Sequence, residues 1–292
     1  MKRVAILLFT VILTIFSCEE SDIDPTLENY RLSRILNYSS STSSQPYGSV
    51  KFEYDDRGNL IKESMLEWPS ILTTYKVYEY ADEKKTKTKT YDGQVGNLRL
   101  GTFINYYYTN GNVTKEELYL GDGTLKYTTY YEFDGGDNLI NTYKVDDNVG
   151  IHHQYKYLYD MRGLLMVEQV FMYDQELDGF TKYYYDNNDR MIKCELYDRE
   201  GVLGSYIEKV YHGSDKLPDE QLSYNSDGQL IWKSELTYDG WGNLIGCTSE
   251  GQTSCRAFSR KYKGQLLIEA ITYHPYFGCE EWTVTKYEYE PK

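Results

Sequence analysis

One aromatic residue recurs with a chain reversal behind it along almost the whole sequence: Tyr54, Tyr80, Tyr108, Phe133, Tyr159, Tyr185, Tyr211, Tyr238, Tyr262 and Tyr287, spaced 24 to 28 residues apart. Self-similarity at such a period marks a chain assembled from copies of one small unit. Nine of these anchors are followed by turn chemistry, as in DDRGN after Tyr54, DMRG after Tyr159 and DGWGN after Tyr238. Gly, Asn and Asp tolerate the positive φ that tight reversals demand. A second set of turns, including DGQVGN, GDG, DREGVLG and NSDG, lies midway between the anchors. With the Ser-rich SSSTSSQP after the first strand, the phrases predict nineteen reversals joining twenty strands.

Each half-repeat leaves room for a strand of about 9 or 10 residues, roughly 30 Å long. Tyr, Thr, Val and Ile dominate these runs and suit a pleated, half-buried surface. Positions two before the anchors are mostly apolar or aromatic, and positions one before are mostly polar. That alternation predicts an antiparallel meander with one aromatic face and one wet face. The fold class is therefore all-β: a continuous antiparallel β-meander of about twenty strands from repeats of about 26 residues. Open twisted sheets rarely exceed about 10 strands, so the sheet must roll into a wide barrel-like tube or a spiral shell. Packing the aromatic face inward gives the 33 tyrosines a role, each ring buried while its hydroxyl finds water or a carbonyl.

The N-terminus reads as an address. Lys2 and Arg3 precede the apolar run Val4 to Phe16, which is too short for a membrane span. Residues 1–17 are expected to be a signal peptide, 18–29 an acidic tether and 30–292 a single β domain. Ile15, Phe16, Ser17 and Cys18 resemble the lipobox of bacterial lipoproteins, which implies lipidation of Cys18 and a partner membrane reached through that anchor. The acids after Cys18 resemble the surface-export signals of Bacteroidetes lipoproteins. The expected location is the outer membrane, as a lipoprotein on the cell surface or the periplasmic face. The net charge of −14 repels phosphate backbones and excludes nucleic acid as a partner.

YDDRGNLIKE, YDMRGLL and YDGWGNLI resemble the YD repeats of the RHS family, whose strands wind into a shell. The chain is shorter than an RHS shell and has neither a following toxin segment nor a DPxG-type autoproteolytic motif. It also resembles small Bacteroidetes lipoproteins of unknown function described as porin-like in fold.

Candidate chemistry is sparse. Asp134, Asp137, Asp146, Asp147 and Asp239 read as turn formers rather than calcium ligands. His152 and His153 are adjacent and would point to opposite faces of a strand, so no metal and no cofactor is expected. No nucleophile elbow, HExxH or phosphate loop occurs, so no enzyme activity is expected. Cys247 and Cys255 flank TSEGQTS and would stand opposite each other in a hairpin centred near Gly251, a candidate disulfide; Cys194 and Cys279 have no evident partner. Trp241, inside a turn, is the candidate ligand contact. The expectation is a non-enzymatic envelope lipoprotein presenting a Tyr-rich surface to a protein or glycan partner. The alternatives are an RHS-like encapsulating shell and, lower, an outer-membrane barrel or a carbohydrate-active enzyme. Polar residues that interrupt the aromatic face, and a mean hydropathy of −0.63, count against a lipid-facing band.

Overall fold

Asp55 shows how the turn phrase reverses the chain. Its Oδ1 accepts the N–H groups of Arg57 and Asn59 at 2.9 and 2.8 Å, and its Oδ2 accepts Asn59 Nδ2 at 2.9 Å. Gly58, at φ +84°, takes the left-handed position that a side chain resists. Asp134, Asp160, Asp186 and Asp239 repeat the arrangement, and Asp137 and Asp189 occupy the left-handed position where glycine is missing. Asp is one of the few residue types that tolerate it.

The computed structural model describes residues 29–292 apart from 147–149, 174, 214–215, 241, 251–254, 264–265 and 275–279; at 249–250, 255–257, 273–274 and 280–282 the backbone alone is described. Twenty strands follow one another, from six residues in Glu220–Asn225 to thirteen in Asn97–Thr109. Each pairs antiparallel with its neighbours in sequence. The first, β1 (Tyr30–Tyr38), also pairs antiparallel with the last, β20 (Glu280–Pro291), from Tyr30 opposite Pro291 to Tyr38 opposite Val284. The meander is therefore a closed barrel, and the spiral alternative is excluded. Closure removes the free edges that would otherwise recruit other strands. The seam carries Arg31 Nε to Glu290 Oε1 at 2.8 Å and Thr285 Oγ1 to Asn37 Oδ1 at 3.2 Å.

Nearly every hairpin carries a single register shift, and these shifts organise the wall. Opposite Tyr54 of β2 (Gly48–Tyr54), the partner strand β3 (Leu60–Glu67) jumps from Lys62 to Leu60 and leaves Ile61 as an extra residue. Such a bulge disrupts the ladder locally and sharpens twist, which helps a sheet close. The carbonyl just before the extra residue is then taken by a tyrosine of the next repeat: Tyr80 Oη donates to Leu60 O at 3.0 Å. Tyr54, Tyr108, Tyr159, Tyr185, Tyr211 and Tyr289 donate likewise to Leu32, Lys85, Leu139, Leu165, Met191 and Leu267, at 2.7 to 3.0 Å. All seven acceptors immediately precede an extra residue. In the last repeat the clasp is Tyr289 and not the expected anchor Tyr287, because the extra residue is Ile268 and the carbonyl before it is that of Leu267.

Strand alternation separates two walls. In β12 (Glu176–Tyr185), Tyr183 is 8% exposed and its neighbour Tyr184 is 39% exposed. Cys194 and Ile207, on the following two strands, lie opposite Tyr183 and opposite each other, and Ile207 is buried too. The clasp tyrosines share that inner wall. The outer wall carries stacked cross-strand rings, Tyr75 on Tyr91, Phe103 on Tyr119 and Phe180 on Tyr197, with centroids 4.4 to 4.8 Å apart. Interleaved with them are ion pairs, Lys115 with Glu117 and Lys193 with Glu195, each at 2.8 Å, and Lys89 with Glu79.

Candidate functional site

The inner wall is the candidate site, and its chemistry follows from the repeat. On several even-numbered strands successive inward positions are tyrosines, as at Tyr78 and Tyr80, Tyr157 and Tyr159, and Tyr183 and Tyr185; on three odd-numbered strands the inward position beside them is a carboxylate. Tyr183 Oη donates to Glu168 Oε2 at 3.0 Å, and Tyr78 Oη donates to Glu63 Oε2 at 2.8 Å. Tyr131 leans on Glu116 in the same way. The wall therefore offers ring faces, phenol donors and carboxylate acceptors side by side, two repeats apart.

Burial sets the protonation of these groups. Desolvation, followed by the Glu168 charge, pushes the Tyr183 phenol far above its ordinary value, and the same two causes push Tyr157 up to about 12. Burial raises the Cys194 thiol and lowers the Lys209 ammonium, each only partly offset by the other group. All these shifts favour the neutral form in a low-dielectric surround. At neutral pH the phenols are donors, and the thiol is held away from its nucleophilic thiolate.

The residues singled out by sequence divide sharply. Cys18 and Trp241 lie outside the described residues, as do Asp147 and Cys279. Asp134 and Asp239 close turns. The expected opposition of Cys247 and Cys255 fails: Cys255 lies opposite Ser249, and a shift between Cys247 and Thr248 sets Cys247 opposite Phe258. Cys247 is a free, buried thiol on the inner wall, as Cys194 is a free thiol. The pairing nearest the turn is already off the expected symmetry, and an extra residue moves Cys247 one place further.

The reading of His152 and His153 is overturned by the same device. In β10 (Gly150–Tyr159), Ile151 lies opposite Val145 and His153 opposite Lys144, so His152 is an extra residue. Two residues then face one partner position, and the rings converge on one side. Their centroids are 4.2 Å apart, and the two Nδ1 atoms are in hydrogen-bond contact. The inward carboxylates escaped the sequence reading as well. The signal that could have found them is a Glu four or five residues after the turn phrase in three of the repeats, at Glu63, Glu116 and Glu168.

Solved structures similar to the chain include the crystal structure of TcdB2–TccC3–Cdc42, at 11% identity and a TM-score of 0.40, covering 87% of this chain and 18% of that one. The Tc holotoxin pore of Photorhabdus luminescens is similar at 11% identity and a TM-score of 0.39, over 87% and 17%. A porin-like protein from Bacteroides uniformis is similar at 12% identity and a TM-score of 0.39, over 89% and 98%. The chain thus spans about a fifth of the toxin chains and nearly all of the porin-like one. A scan against protein-family models and a search of curated proteins find no match.

Proposed function

We propose that this is a non-enzymatic, lipid-anchored envelope protein whose barrel binds a glycan or an extended protein segment along its tyrosine-lined wall. The observation that carries the reading is the repeated pairing of inward tyrosines with carboxylates at Glu63, Glu116 and Glu168. Aromatic faces stack on sugar rings or apolar side chains, and neighbouring donors and acceptors fix orientation. Neutral, hydrogen-bonded phenols suit recognition better than nucleophilic chemistry.

The address fits this role. Asn29 O accepts the N–H of Lys292 at 2.7 Å, so the segment that leads into β1 lies beside the end of β20 at one rim. A tether from Cys18 would hold that rim toward the membrane. The far rim, with exposed Trp68, Val95, Tyr173, Val202, Leu230 and Ile231, would face outward and receive the partner. Ion pairs across the outer wall oppose direct lipid contact. Ring closure favours a second reading, an enclosing shell, in which the wall holds a cargo chain rather than a free ligand.

Glycan and peptide arrays probed with the mature chain test the proposal. Tyr157→Ala with Glu168→Gln should abolish retention of whatever ligand the wild type captures, with strand content unchanged by circular dichroism. Retention that survives both substitutions would remove the inner wall from the site, and a blank array beside a co-purifying chain would favour the shell. Protease shaving of intact cells tests the outward rim.

A further inference from the structure

We infer that His152 and His153 form a two-nitrogen site for a divalent first-row transition ion at the far rim of the barrel. Adjacent residues of a regular strand point to opposite faces and cannot share an ion. Here the bulge at His152 cancels the alternation, and the two Nδ1 atoms face each other. Two imidazole nitrogens in contact need one proton between them: one Nδ1–H donates and the other lone pair accepts. An ion replaces that proton: the ring that carried it on Nδ1 takes the Nε2–H tautomer by exchange with solvent, and both Nδ1 lone pairs become ligands. Metal–nitrogen bonds of about 2.0 Å put neighbouring ligand nitrogens about 3 Å apart, so the rings need only a small rotation to open around an ion. The edge of Tyr173 lies against His152, with centroids 4.5 Å apart and an interplanar angle of 66°, and limits rotation away from that arrangement.

The surrounding charges are mixed. Lys144, opposite His153 in the sheet, opposes a cation, and the Asp178 carboxylate acts on His153 with the contrary sign. Among the described residues no third His, Cys, Asp or Glu completes a set with the pair. Water fills the remaining positions. Such a site selects ions that favour imidazole, Ni²⁺, Cu²⁺ or Zn²⁺, over Mg²⁺ and Ca²⁺, which demand oxygen.

The chain has only four histidines, which makes the test clean. Isothermal titration of the mature chain with Ni²⁺ should show one equivalent bound. His152→Ala and His153→Ala should each weaken it at least tenfold, while His212→Ala and His274→Ala leave it unchanged. In the wild type, Ni²⁺ should slow carbethoxylation of the peptide carrying both rings, a readout independent of how any variant folds. Unchanged binding in both single variants, no heat with Ni²⁺, or carbethoxylation indifferent to the ion would each overturn the site.

Discussion

Two hairpins of the same barrel differ in one respect, and the difference shows what the repeated tyrosine does. Between β12 and β13 (Met191–Asp198) the register jumps opposite Tyr185, and the exposed Met191 carbonyl is taken by Tyr211 at 2.9 Å. Between β14 (Leu203–Val210) and β15 (Glu220–Asn225) the register runs straight from Ser205 opposite Asn225 to Val210 opposite Glu220. Tyr238, in β16 (Leu230–Tyr238), stands where it would clasp a bulge of that hairpin, and its buried hydroxyl has no partner among the described residues. A longer connection fills the gap: Asp219 N–H donates to Val210 O, and Leu236 N–H to Asp219 O, each at 2.8 Å. The tyrosine is thus one half of a device, and the other half is an orphaned carbonyl. Where the carbonyl is missing, the hydroxyl becomes a cost.

That contrast makes the same substitution act with opposite signs at two sites. Tyr185→Phe strips the donor from Leu165 O and leaves a buried acceptor unpaired, so it should cost about 1 to 3 kcal/mol, read from the urea unfolding midpoint. An unchanged midpoint would make the clasp decorative.

On the irregular side, Lys209 faces inward from β14 with its ammonium held below the ordinary 10.5 by burial. The unfolded chain then binds the extra proton between the lowered value and 10.5, so stability rises with pH through that window, and the full cost is present below it. Lys209→Met should remove the cost, raise neutral-pH stability by about 1 kcal/mol and flatten the rise toward pH 10. A pH profile of the variant parallel to that of the wild type would show that Lys209 stays fully solvated. The smallest effect is expected at Tyr238→Phe, neutral or up to about 1 kcal/mol more stable. Destabilisation there would mean that the hydroxyl has a partner after all, and the comparison would collapse.

Strand number, antiparallel pairing and the inward tyrosine face were legible because they depend on local signals: turn residues, β-branched runs and period two. Asp55 and Gly58 announce their turn without help from the rest of the chain. Bulges were not legible. An extra residue such as Ile61 or His152 looks like any other strand residue, yet it moves every later side chain by one place against the partner strand. That shift moved Cys247 further from Cys255, hid the convergence of His152 and His153, and made Tyr287 look like the final anchor when Tyr289 is the clasp. The inward carboxylates were lost for a different reason: Glu63 and Glu168 are two acids among 45 in the chain, and only register shows which of them meet a phenol. Ring closure depends on the pairing of β1 with β20, residues about 250 positions apart, and turn chemistry is silent on contacts of that range.

Closure is also the claim on which the wall, its burial and its chemistry rest. A bridge across the seam tests it directly. In Asn37→Cys/Thr285→Cys the two new thiols should oxidise to a disulfide that peptide mapping finds in high yield, distinct from the native cysteines, since the side chains they replace are in hydrogen-bond contact. If both new thiols instead stay open to alkylation in a folded, strand-rich protein, the two ends of the sheet do not meet, and the barrel described here is wrong.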